Sequence, residues 1–489
     1  MAVTPTTKWQ VNGYRFLVRR MEHALVRRDV RMLHDPMRSQ SRALVVGIVL
    51  ASLGLGACGA LALFKPQDKL GDSAIVMGRD TGALYVKYED TLRPVLNLAS
   101  ARLIAGGPEE PAEVKESELD TVARGALVGI PGAPSSLNHG SQAPWTVCDT
   151  IDNGTSSVTK TSVLVGEAPD RDGVNELATS EVLLVSNSNK DYLVYDGKRA
   201  EVDLTETSIT RALGIEQARP RPVSQGLINS IPEVREIVSP AIRDAGERPD
   251  FSADGMEVGS VFQVSIGGEK EHYVVLTDGI QKISQAVAKL IFFDDDQGDT
   301  EMSTVGASTM GGYPTASEGL SVGHYPESVS DVVGADQNPV SCVSWRPLTE
   351  SAEASEGVPG AELNLVAGRT LPIDADAKPV RLAQADGGGD NADEVLVRSG
   401  SGGFVQATGL EPSSTRQDGI FYIADTGVRF GIKDAETAKM LGLEGAPSRA
   451  PWQMMELLGP GPALSQKAAL VAHDGVAPDS KGALPASGS

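Results

Sequence analysis

At 489 residues, with 53 glycines, 29 prolines and only 4% aromatic side chains, the chain is too long for one hydrophobic core and predicts several modest units joined by loops. Its formal net charge of −22 at pH 7 disfavours nucleic acid as a partner, because phosphate contacts draw on Lys and Arg.

The charge is unevenly spread. Residues 1–42 hold nine basic side chains (Lys8, Arg15, Arg19, Arg20, Arg27, Arg28, Arg31, Arg38, Arg42) against Glu22, Asp29 and Asp35, a net of +6 that leaves −28 for the rest. Within 13–33, Phe16, Leu17, Met21, Ala24, Leu25 and Leu33 fall roughly at helical spacing with arginines on the other faces, which predicts a basic amphipathic helix. Its candidate docking residues are Arg15, Phe16, Leu17, Arg19, Arg20 and Met21, toward anionic headgroups or a partner protein; the plainer reading is an orientation signal alone.

Residues 43–64 are uncharged between Arg42 and Lys65. A bilayer core about 30 Å thick needs about 20 apolar helical residues, so this segment predicts one permanent transmembrane helix. A cleaved signal fits less well, because its apolar region is shorter and lies nearer the start. A lipoprotein reading rests on Leu55-Gly56-Ala57-Cys58, but the apolar run continues past the cysteine to Phe64. Cys58 then reads as a small thiol among Gly47, Ala51, Gly54 and Gly56, residues that permit close helix packing. Positive flanks stay inside, so the N-terminus is expected in the cytoplasm and residues 65–489 outside it.

Only Cys148 and Cys342 lie beyond the span, in WTVCD and SCVSW. They read as one buried disulfide in an oxidising compartment, or as two unpaired core thiols. Neither has the spacing of a metal site. Four segments share a pattern of strand, tight turn, second strand and helix: Tyr85 to Ile104, Tyr192 to Leu213, Tyr273 to Leu290 and Phe421 to Leu443. The expected fold is thus α/β (α+β), four hairpin-plus-helix units around a central β-rich domain, preceded by the cytoplasmic and transmembrane helices. Expected boundaries are 1–42 for the arm, 43–64 for the span, 65–135 for repeat unit 1 and 136–185 for the first part of the central domain. Units 2 and 3 follow at 186–225 and 226–292, the second part of the central domain at 293–350, unit 4 at 351–470 and a disordered tail at 471–489. Gly129 to Pro134 and Asp386 to Asn391 read as irregular loops.

Catalytic signals are weak. The only Gly-Lys pair, Gly197-Lys198, is followed by Arg199 in a hairpin turn and makes no standard phosphate loop. Gly319-Leu320-Ser321-Val322-Gly323, followed by His324, matches a nucleophile pattern, yet it lacks a preceding strand and Pro326 blocks the helix. The acidic run Asp294-Asp295-Asp296 with Asp299 and Glu301 reads as a solvated loop rather than a calcium site, and Asp386 to Asp393 is a single faint copy of a calcium-binding nonapeptide, too little to make a site.

Several stretches together resemble the EccB family of the type VII (ESX) secretion systems of mycobacteria and related actinobacteria. They are Gln10 to Arg20, Arg31 to Pro36, the single span, Leu84-Tyr85-Val86, Pro94 to Ile104, Leu127 to Pro134 and Trp145 to Asp149. The resemblance implies a single-pass structural subunit of an inner-membrane core complex, assembled with EccC, EccD, EccE and the mycosin protease. It also implies a periplasmic body of four repeats around a central disulfide-bonded domain, packing into homodimers and larger rings. The family is described as an ATPase, which makes ATP the alternative to having no cofactor; no residue here carries that chemistry over. An envelope lipoprotein or cell-wall binder is the third reading.

Overall fold

The computed structural model describes residues 7–28, 36–64, 70–152, 157–167, 173–294, 302–348 and 360–475. The chain divides into two units, one with residues 1–71 and 114–118, the other with 72–113 and 119–489.

The first unit holds two long helices. The arm helix, Lys8–Arg27, starts where the Thr7 backbone N–H donates to Gln10 Oε1 at 2.9 Å, half of a capping box. It ends at Arg28, whose left-handed backbone (φ 57°) turns its N–H onto the Ala24 carbonyl. The second helix, Pro36–Phe64, begins seven residues before the expected span, with proline in the first turn where its missing N–H costs nothing. Its stretch Arg42–Ala60 is long and apolar enough to cross a membrane. Cys58 is exposed on it within the single chain.

At the centre of the second unit is a seven-stranded sheet. Its order is Val380–Arg381, Glu394–Val397, Lys160–Val165, Trp145–Thr150, Val340–Pro347, Ala361–Gly368 and Val174–Glu176. Only the pair Glu394–Val397 with Lys160–Val165 runs parallel. The inner strands are rich in β-branched and aromatic residues and buried on both faces, as WTVC, TSVLV and VSCVSW would require. Trp145 lies opposite Trp345, and Cys148 opposite Cys342, to which it is joined by a disulfide.

Four times the chain forms a three-stranded antiparallel meander followed by a helix. The first is Ile75–Gly78, Leu84–Tyr88 and Thr91–Pro94, then Leu98–Ala105. The second is Glu181–Asn187, Lys190–Tyr195 and Lys198–Glu201, then Thr207–Leu213. The third is Val261–Ile266, Glu269–Val275 and Ile280–Ile283, then Gln285–Asp294. The fourth is Gly403–Thr408, Ile420–Ile423 and Val428–Ile432, then Ala435–Met440. After each helix the chain returns to bridge the third strand in parallel, at Leu92 with Arg124, Arg199 with Glu233, Ile280 with Thr315 and Ile432 with Leu464. In the last three it also adds a short parallel strand beside the first, at Arg221–Pro222, Ser303–Thr304 and Ser448–Pro451.

The cores show how the meanders share burial. Meanders 2 and 3 form one cluster, with Ile209, Ala212 and Leu213 against Ala286, Val287 and Leu290. Meanders 1 and 4 form another, with Ala99 and Leu103 against Ala438 and Leu441. Meanders 2 and 4 also pack on the central sheet, through Leu183 and Val185 on one side and Val405 and Ile423 on the other. Strand Glu181–Asn187 therefore alternates between two cores, Val182 and Leu184 in one and Leu183 and Val185 in the other.

Several expected boundaries move. The division at 185/186 falls inside strand Glu181–Asn187, because only the hairpin below that strand carries a recognisable turn. Residues 226–237 still bridge meander 2, and 303–315 still pair with meander 3, so both returns belong to the preceding unit. Strands Ala361–Gly368, Val380–Arg381 and Glu394–Val397 join the central sheet rather than unit 4. The tail expected from 471 is ordered at its start: Ala472–His473 pairs with Leu127–Val128, and His473 Nε2 lies 2.8 Å from the Gly129 carbonyl oxygen. Residues 476–489, and all but Asp294 of the acidic run 294–301, lie outside the described residues.

Candidate functional site

The six docking residues expected on the arm do not share one face. At 100° per residue, Leu17 and Met21 lie on the same side, Arg20 about 80° from it, and Phe16, Arg15 and Arg19 about 120° to 180° round the helix. Leu17, Met21 and Phe16 are all exposed. The shared apolar stripe is instead Val11, Tyr14, Leu17, Met21 and Leu25, all exposed, with half-buried Val18 among them. Its three-and-four spacing is readable from the sequence once Val11 and Tyr14 are counted.

The second feature, Asp149, is missing from the sequence reading. It follows Cys148 on the central strand, is 1% exposed, and accepts hydrogen bonds from the Ser224 backbone N–H (2.6 Å), Ser224 Oγ (2.8 Å) and Thr161 Oγ1 (2.9 Å). Burial pushes its pKa up to about 6, against those hydrogen bonds and the field of Arg221. Arg221 is buried too, and desolvation brings its pKa down to about 10, opposed by Asp149. Its Nη2 donates to the Asn338 carbonyl at 2.9 Å. A second buried carboxylate, Asp393, accepts from the backbone N–H groups of Thr161, Gly387 and Gly388. These bonds tie the sheet to the segment returning from meander 2 and to the glycine loop expected at 386–391. The available signal was an acidic residue inside an otherwise apolar strand, WTVCD.

A cavity of about 970 Å³ opens beside this joint, lined by Asn187, Asn189, Arg219, Arg221, Asp152 and Asp336 among others. Its two arginines are matched by two aspartates, so it offers no net positive field for a triphosphate. Gly197 sits in the two-residue turn Asp196-Gly197 of meander 2, at φ 68°, and Lys198 opens the next strand opposite Tyr195. A Cβ on Gly197 would come within 2.6 Å of the Leu363 carbonyl oxygen, so glycine serves close packing here rather than phosphate binding. Gly319 to Gly323 is irregular, and Ser321 Oγ accepts from Arg235 Nη2 at 2.8 Å. The strand-turn-helix of a nucleophile elbow is absent there. Among the described residues no group of three or more His, Cys, Asp or Glu could hold a metal ion.

The family described as "Type VII secretion system ESX-1, transport TM domain B" matches residues 3–478. The chain belongs to the EccB family. Its relatives include the "ESX-3 secretion system ATPase EccB3" of Mycolicibacterium smegmatis, 38% identical over 483 residues that cover 96% of this chain and 91% of that protein. They also include the "ESX-1 secretion system ATPase EccB1" of Mycobacterium tuberculosis, 37% identical over 97% of this chain and 96% of the relative. Among solved structures, a chain of an intact ESX-5 inner membrane complex is similar with a TM-score of 0.71 and 33% identity, covering 99% of this chain and 98% of its own. The EccB3 dimer from an ESX-3 core complex has a TM-score of 0.69 and 34% identity, covering 82% of this chain and all of its own. The mixed α/β body and the apolar helix near the N-terminus therefore have counterparts in solved EccB structures.

Proposed function

We propose that this EccB chain is a structural subunit of the inner-membrane core of a type VII secretion system, serving protein export. The observation that carries this reading is the likeness over nearly the whole chain to EccB in an intact inner membrane complex. In this reading Arg42–Ala60 anchors the chain with the basic arm in the cytoplasm, in line with the positive flank. The body is periplasmic, where a disulfide between Cys148 and Cys342 would persist. Four repeat units, each a meander with its helix and return strands, flank the central sheet, and the body self-associates as in the EccB3 dimer. EccC, EccD, EccE and mycosin are the proposed partners, and the arm contacts the cytoplasmic ones.

The relatives' names carry an ATPase activity. Among the described residues none favours it over the structural reading, and ATP remains the alternative cofactor. Gentle purification from the membrane, with native mass and mass-spectrometric identification of partners, tests the proposal. A large assembly with EccC, EccD and EccE is expected. A lone monomer that turns over ATP would replace the structural reading with the enzymatic one.

A further inference from the structure

The arm helix has two unlike faces. Val11, Tyr14, Leu17, Met21 and Leu25 fall within an arc of about 120°, while Phe16 points about 160° away from its centre. These five residues are exposed, from 39% at Val11 to 80% at Leu25, and among the described residues none covers them. Arg15 and Arg20 flank its two edges, and the helix carries five basic residues (Lys8, Arg15, Arg19, Arg20, Arg27) against one acidic residue, Glu22. Long basic side chains beside an apolar stripe can lay their stems along it while their charges reach outward to phosphates. The arm's end at Arg27 is only 15 positions from the membrane-crossing stretch beginning at Arg42, a chain reach of at most about 50 Å. The helix is thus held close to a membrane surface whatever else it touches.

The geometry points to the anionic lipid surface of the membrane as the partner of this stripe, with the helix lying in the headgroup plane and its Phe16 side turned away from the lipid. Position and charge favour lipid over protein for this face: the arm is tethered near the membrane, and Arg15 and Arg20 stand on opposite edges of the stripe, where both can reach one negative plane, with Glu22 beside Arg15. The Phe16 side, which also carries Trp9 and Arg27, is aromatic and basic and is left for a protein partner. This inference deepens the proposed topology and rests on it.

The test uses the full chain in nanodiscs, in a Cys58→Ser background so that the disulfide cysteines remain paired. Single cysteines replace Leu17, Met21 or Phe16 and carry a fluorophore, and the lipids carry a nitroxide quencher at shallow depth. Quenching at Leu17→Cys and Met21→Cys is expected to exceed that at Phe16→Cys by about two-fold or more in phosphatidylglycerol discs, and to fall in phosphatidylcholine discs or at high salt. Equal quenching at all three sites, or none in anionic discs, overturns the inference. Quenching that ignores lipid charge overturns the electrostatic half of it. Labelling the same cysteines in intact cells with a membrane-impermeant thiol reagent separates the two levels: reaction from outside refutes the topology, whereas protection from outside with no quenching refutes the lipid contact alone.

Discussion

The pair of meanders 2 and 3 and the pair of meanders 1 and 4 are built alike and tied differently. In both pairs the helices meet across one apolar cluster. In both, the fifth residue after the helix N-cap is an arginine reaching toward the partner meander. Arg102 follows Asn97 and Arg211 follows Glu206. Arg102 is buried, donates to the Leu441 carbonyl at 2.8 Å and pairs with Glu110 at 2.7 Å. Arg211 lies over the Phe293 ring at 4.9 Å. One joint is a buried hydrogen-bonded cap on the partner's helix end, and the other is a cation over a ring. Meanders 2 and 3 are also an insertion: the chain leaves the central sheet after Val174–Glu176, forms both meanders, and re-enters at Val340. Meanders 1 and 4 come from opposite ends of the body.

That difference makes the disulfide asymmetric. Cys148 and Cys342 are 194 residues apart, and the loop they close contains meanders 2 and 3 but neither of the others. Cys148→Ser with Cys342→Ser is expected to cost about 4 kcal/mol, the range for a long closed loop. The thermal midpoint should drop by several degrees. Hydrogen exchange should rise more in 181–333 than in 75–105 and 403–443. Equal loosening of both pairs would mean that the insertion is not a separable unit.

The hairpins are legible in sequence because their signals are local. Tyr192 to Tyr195, Asp196-Gly197 and the following strand and helix form a contiguous pattern, and the positive φ of Asp196 and Gly197 falls where that pattern places the turn. What precedes and follows each hairpin is less legible. Ile75–Gly78 is four residues long, and the return strands Arg221–Pro222 and Ser303–Thr304 are two, too short for any periodicity to register. The central sheet gathers strands from 145 to 397, and the partner choice of a strand buried on both faces is written in no local pattern. The arm illustrates a different miss. Its helix is evident, but grouping Phe16 with Leu17 treats sequence neighbours as surface neighbours, although adjacent residues on a helix stand 100° apart.

The two arginines offer a second way to separate the pairs. Arg102→Ala leaves the Leu441 carbonyl without its buried donor and also removes the pairing with the exposed Glu110, for an expected loss of about 2 kcal/mol. Arg211→Ala removes a cation over an aromatic face, worth about 0.5–1 kcal/mol. Denaturant midpoints of the two variants, measured side by side, should differ in that order. The reverse order would place the stronger joint between meanders 2 and 3.

Acidity probes the remaining tie, the bond between the central sheet and the return from meander 2. Asp149 is raised from an ordinary 3.8 to about 6 by burial, so the folded chain holds its proton more tightly than the unfolded chain between those values. Its contribution to stability is fully present below about pH 4 and lost as pH rises through 6. Lowering the pH from 7 to 5 should therefore add about 1 kcal/mol from this group, although the carboxylate is the acceptor for Ser224 and Thr161. The reason is that the hydrogen bonds and the field of Arg221 do not fully offset the cost of burying the charge. In Asp149→Asn the side chain no longer titrates, and this gain between pH 7 and 5 should be absent. Unfolding midpoints of both chains across that range measure it. A parent chain that instead loses stability relative to Asp149→Asn on acidification would show that Asp149 and Arg221 form a net stabilising pair, with a folded pKa below 3.8.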